Sequence, residues 1–107
     1  MRNQPISLGT VTISTSAQAS SAIDLDRKYI RSLVIGAPAA VTGTINVQIS
    51  LDKQESWLYL QSGSTDIDIP AARCVVIDCV GYDAVRVYSS SAEAVDRIFT
   101  VKAVEEF

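Results

Sequence analysis

The sequence predicts an all-β domain, a two-sheet antiparallel sandwich of jelly-roll-like type, with an Ig-like sandwich as the alternative. Valine and isoleucine number 23 against 6 leucines. Such β-branched side chains suit a pleated sheet because their stiff χ1 crowds the preceding turn of a helix. Apolar and polar residues alternate with period two in one segment after another. Polar, glycine- and proline-bearing turns punctuate these segments at the short intervals of a sandwich or barrel. The 107 residues fit one domain, 1–107, and 48% apolar residues supply a core that needs no disulfide.

Each element follows from its local pattern. From Ile6 to Ser14 the alternation runs through Ile6 and Leu8, then resumes out of phase at Val11 and Ile13, which predicts a bulge or bend at Gly9. Ser21 to Leu25 is a short strand with Ile23 and Leu25 on one side, and Tyr29 to Ile35 follows the loop Asp26-Arg27-Lys28. Gly36 to Gly43 is a loop, since Pro38 cannot donate to a ladder. Thr44 to Asp52 is the clearest strand. Its pattern places Ile45, Val47, Ile49 and Leu51 on the core face and Thr44, Asn46, Gln48 and Ser50 outside.

Beyond the polar turn 53–56, a strand is expected from Trp57 to Gln61 and another around Ile67 and Ile69. Arg73 to Val80 is the most apolar run and reads as a central strand. Ala84 to Ser90 sets Val85 and Val87 against Arg86 and Tyr88. Arg97 to Val104 sets Ile98 against Phe99, Val101 and Ala103. Ser90-Ser-Ala-Glu93 matches a capping box, but the few residues before the next strand favour a loop with at most one helical turn. The total is eight or nine strands of four to nine residues.

Composition excludes several classes of function. With 12 acidic and 9 basic side chains, the latter scattered, no track for nucleic acid is expected. No apolar stretch is long enough to span a membrane, and the first residues lack the core of a secretory signal, so a soluble cytoplasmic product is expected. Cys74 and Cys79 fall on opposite faces of one strand and are read as reduced, mostly buried hydrophobes.

The chain contains no histidine, which removes the commonest general base and transition-metal ligand. The carboxylate pairs Asp24/Asp26 and Asp66/Asp68 each project to one face, but a calcium site needs six to eight oxygens, so solvent-facing acids are the better reading. The expectation is therefore a protein that binds, with no catalytic residue, cofactor or metal. Trp57 and Tyr59 share a strand face and can stack on a sugar or anchor a protein interface; Trp57 is read as core and Tyr59 is left open. Residues 1–5 are expected as an extended arm in which Arg2 and Gln4 are candidates for partner contact.

Ser21-Ala-Ile-Asp-Leu25, the stretch Ile35-Gly-Ala-Pro-Ala-Ala-Val-Thr-Gly-Thr44 leading into Val47-Gln-Ile-Ser-Leu-Asp52, and Ala92-Glu-Ala-Val-Asp-Arg97 resemble small tailed-phage virion proteins of the capsid cement and decoration type, from about Thr10 to Val101. The resemblance implies a β-sandwich made in the host cytoplasm that docks on the exterior of the major capsid protein shell and staples neighbouring subunits. A homo-oligomer is expected, a dimer ahead of a trimer. The alternatives are a carbohydrate- or receptor-binding module of a fibre or tail, using Trp57 and Tyr59, and a neck or tail-completion protein.

Overall fold

The alternating segment 44–52 forms a strand because its β-branched residues can line one face of a pleat while amides and hydroxyls line the other. The same rule builds most of the domain. A computed structural model describes residues 3–25, 30–79 and 81–106. The strands are β1 (Asn3–Ile13), β2 (Ile23–Asp24), β3 (Ile30–Gly36), β4 (Ile45–Ser50), β5 (Leu58–Tyr59), β6 (Gln61–Ser62), β7 (Thr65–Asp66), β8 (Cys74–Asp78), β9 (Ala84–Ser89) and β10 (Arg97–Glu106). No helix occurs among the described residues.

All the pairings are antiparallel. One four-stranded sheet has the order β1-β10-β3-β8 and the other β2-β9-β4-β5, with β6-β7 as a separate hairpin. Apart from that hairpin, the chain crosses between sheets at every connection except β4 to β5. This is the wrapped, jelly-roll-like order, the first of the two sandwich types expected.

The core lies between the sheets. Ile13, Leu33, Ile35, Phe99 and Val101 from one layer meet Ile45, Val47, Val85 and Val87 from the other, all essentially solvent-free. Each such side chain contributes roughly 1.5–3 kcal/mol by leaving water. Gly9 has φ 89°, and the β1/β10 register shifts between Ser7 and Gly9, so the phase break in the sequence is a bulge. Asn3, Gln4 and Pro5, within the segment expected as an arm, pair with Glu106, Glu105 and Val104.

Four elements depart from expectation. The run expected as a central strand forms β8 (Cys74–Asp78), which among the described residues is an edge strand paired with β3. Its inner side chains, Val75, Ile77 and Cys79, join the core or pack on it, while Val76 is 67% exposed on the outer face. Cys79 is accordingly buried, but Cys74 is exposed, so only one cysteine behaves as a core hydrophobe. Leu51 is exposed and not in the core, because the strand ends at Ser50 and the chain turns through positive φ at Lys53 and Gln54. That turn is held by Asp52, which accepts bonds from the Ser50 hydroxyl and from the Ser56 amide and hydroxyl.

The fourth departure is the Trp57–Gln61 strand, which splits into the two-residue strands β5 and β6. Leu60 still donates to Val47 of β4 but accepts from Ile67, so the chain passes here from pairing with β4 into the β6–β7 hairpin.

Candidate functional site

The outer face of the β2-β9-β4-β5 sheet gathers the chemically distinctive side chains. Register places Arg86, Gln48 and Tyr59 in one cross-strand row, since Gln48 opposes both of the others. Tyr88, Asn46 and Asp68 form the next row, because Asn46 opposes Tyr88 and bridges to Asp68. Alternation along each strand turns all of them outward.

Arg86 organises this face. Its guanidinium carbon lies 4.3 Å from the centre of the Trp57 ring and 5.6 Å from that of Tyr88, within cation–π range. Its Nε donates to Gln48 Oε1 at 2.7 Å, which satisfies an amide that is 7% exposed. Burial pushes the Arg86 pKa down from its ordinary value, while Tyr88 and Tyr59 act in the opposite direction. Tyr59 and Tyr88 pack edge to face at 6.3 Å.

Trp57 therefore lies half-buried on the outer surface, under Arg86, and not in the core as the sequence suggested. An arginine two strands away offers the ring a desolvated cation, and the core is already filled by Phe99 and aliphatic residues. Tyr59 shares the face, 48% exposed. The structure thus brings Trp57 and Tyr59 together. Arg2 lies outside the described residues, as does the side chain of Gln4.

Beside the aromatic group runs an open groove of about 520 Å³ lined by Thr44, Asn46, Gln61, Thr65, Asp66 and Asp68, among others. Gln61 Nε2 donates to Asp66 at 2.8 Å, and Asn46 Nδ2 donates to the Ile67 carbonyl at 3.1 Å. These bonds fix both amides and leave the Asp68 carboxylate directed to solvent. Among the described residues no group of three or more cysteine or acidic side chains is placed to hold a metal.

Sequence reasoning missed Glu93. Its side chain is buried in place of capping a helix at Ser90, and it accepts from the amides of Thr42 (2.8 Å) and Gly43 (3.0 Å), the Ser89 hydroxyl (2.7 Å) and Arg97 Nε (2.8 Å). Burial raises its pKa, but these four donors outweigh it and hold the carboxyl at about 2. The residue is a structural pin joining the 37–44 loop to the β9–β10 connection. The local signals were its place at the end of the Ser90-Ser-Ala-Glu93 pattern and its position four residues before an arginine.

No protein-family model matches the chain, and no curated protein matches its sequence. Solved structures do. The SPBc2 prophage-derived protein YomS is similar over 97% of this chain and 94% of its own, with a TM-score of 0.66 at 12% sequence identity. The two share a fold. A chain from the disulfide-linked pili of Bacillus endospore appendages matches over 98% of this chain and 88% of its own (TM-score 0.48, 12% identity). One from the Cyanophage Pam1 capsid asymmetric unit matches over 96% and 83% (TM-score 0.48, 17% identity).

The other outer face, that of the β1-β10-β3-β8 sheet, differs in character. Val76, on β8, and Ile98, on β10, are both more than half exposed there, on a surface that also presents Cys74 and Thr100.

Proposed function

We propose that this chain is a non-enzymatic structural protein of a tailed-phage virion, a cement or decoration protein that binds the outer surface of the major capsid shell and stabilises it. The observation that carries the reading is the near end-to-end likeness to a prophage-derived protein, 97% of one chain against 94% of the other. The turn and strand patterns that resemble phage virion proteins point the same way.

The distribution of ionisable groups supports a passive role. Among the described residues, the carboxylates with lowered pKa, Glu93, Asp52 and Asp96, each accept hydrogen bonds that hold loops in place. None is left poised near neutral pH for proton transfer. Stapling needs only repeated weak contacts across subunit boundaries, which add through multivalency. Val76 and Ile98 supply exposed apolar surface for such contacts, each methylene that is buried contributing about 0.8 kcal/mol. A symmetric homo-oligomer, a dimer before a trimer, multiplies the contacts.

Co-sedimentation with empty shells of the cognate phage tests the reading. The wild-type protein is expected to pellet with shells at a fixed stoichiometry and to raise the temperature at which filled particles release their genome. Failure to bind shells, or particles equally heat-resistant without it, overturns the proposal. Labelling confined to the neck or tail in electron micrographs overturns the capsid location.

A further inference from the structure

We propose that the outer face of the β2-β9-β4-β5 sheet is a binding site for a neutral saccharide chain, a function separate from shell binding. A sugar presents two kinds of surface, an apolar face of C–H groups and a rim of hydroxyls that both donate and accept. This face offers a complement to each.

The apolar complement is the ring of Tyr59, 48% exposed and braced edge to face by Tyr88 at 6.3 Å. The braced ring loses little side-chain entropy on binding. The polar complement is the adjoining shallow, open groove of about 520 Å³, which leaves a bound chain partly in solvent while its hydroxyls reach the lining. Its lining contains hydroxyls, amides and carboxylates and no aliphatic side chain. Register joins the two parts: Asn46 has Tyr88 on one neighbouring strand and Asp68 on the other. Two residues further along the same strand Gln48 opposes Tyr59, so the ring and the Asp68 carboxylate rise from the same flank of β4, their backbones roughly 7 Å apart along the strand.

Charge selects the class of ligand. Asp66 and Asp68 are acceptor-only groups that welcome hydroxyl donors and repel phosphate, sulfate or uronate. Arg86 is occupied with Gln48 and the Trp57 ring and stiffens the platform. An extended peptide would require apolar pockets for alternate side chains, and this groove has none.

A glycan array carrying neutral oligosaccharides, heparin-derived oligosaccharides and extended peptides provides the test. The wild-type protein is expected to bind at least one neutral oligosaccharide. Isothermal titration with that compound should show affinity reduced about tenfold or more in Tyr59→Ala and in Asp68→Ala. Val76→Ala, on the opposite sheet, should bind like wild type. Tyr59 and Asp68 are surface residues, so unchanged melting temperatures separate lost binding from lost fold. Binding to no neutral oligosaccharide, undiminished binding by both variants, or preference for the anionic or peptide probes overturns the proposal. Shell co-sedimentation of the same variants is expected to be unaffected, which keeps its failure distinct from that of the capsid reading.

Discussion

The carboxylate of Glu93 accepts the amide of Gly43 at 3.0 Å across fifty residues of sequence, and the two residues are interlocked by Ser89. The Ser89 hydroxyl donates to Glu93 at 2.7 Å and lies where a side chain on Gly43 would stand. Hydrogen bonding and steric exclusion thus close the same corner of the sandwich.

Replacing Glu93 with glutamine is expected to destabilise the fold by about 2–4 kcal/mol at neutral pH, measured by urea denaturation. Glutamine keeps one acceptor oxygen and turns an amide donor toward groups that are themselves donors. In the wild type the carboxyl has a folded pKa of about 2 against an ordinary value of 4.5. Its stabilisation is therefore complete above about pH 4.5 and is lost as pH falls toward 2. The gap between wild type and Glu93→Gln should shrink over that acid window and stay constant from pH 6 to 8.

Gly43→Ala should cost about 1–3 kcal/mol by the same assay. A Cβ there would stand 2.4 Å from Ser89 Oγ, 2.8 Å from the Ser91 amide nitrogen and 2.9 Å from Ser90 Oγ. Ser89 is fully buried and bonded to Glu93, so it cannot withdraw. The double variant Gly43→Ala with Ser89→Ala should recover little, because removing the hydroxyl also removes a donor to Glu93.

A thiol reagent at pH 8 should modify one cysteine of the native protein and two after denaturation. Cys74 is exposed on the edge strand, whereas burial, reinforced by Asp78, pushes the Cys79 thiol up to about 12. Rapid modification of both in the folded state would contradict this placement.

Arg86→Met should lower stability by about 1–3 kcal/mol, since it leaves Gln48 Oε1 without its donor and removes the cation from the Trp57 ring. Trp57 fluorescence should change in the native state alone. An Arg86→Lys variant should restore only part of the loss, because an ammonium cannot stack flat on the ring.

Much of the fold was legible in local pattern. The bulge at Gly9, the inward valines of β9 and the inward Phe99, Val101 and Ala103 of β10 follow from side-chain alternation, which a strand obeys wherever it lies. The candidate site was half legible. Trp57 and Tyr59 share a face by their spacing, yet Arg86, Tyr88, Asn46 and Asp68 reach them only through the pairing of β4 with β9 and β5 and through the Asn46–Asp68 bridge.

Sequence alone determined an antiparallel sandwich, a histidine-free chain and a core built from β-branched residues. Periodicity reports which way a side chain points relative to its own strand, and composition reports what chemistry is available. Tertiary structure alone decided that the most apolar run would sit at an edge, that Trp57 would face outward beneath an arginine, and that Glu93 would be buried among four donors. Each of those outcomes depends on which strands become neighbours, and strand order is set by the summed packing of the whole chain, which no local window contains.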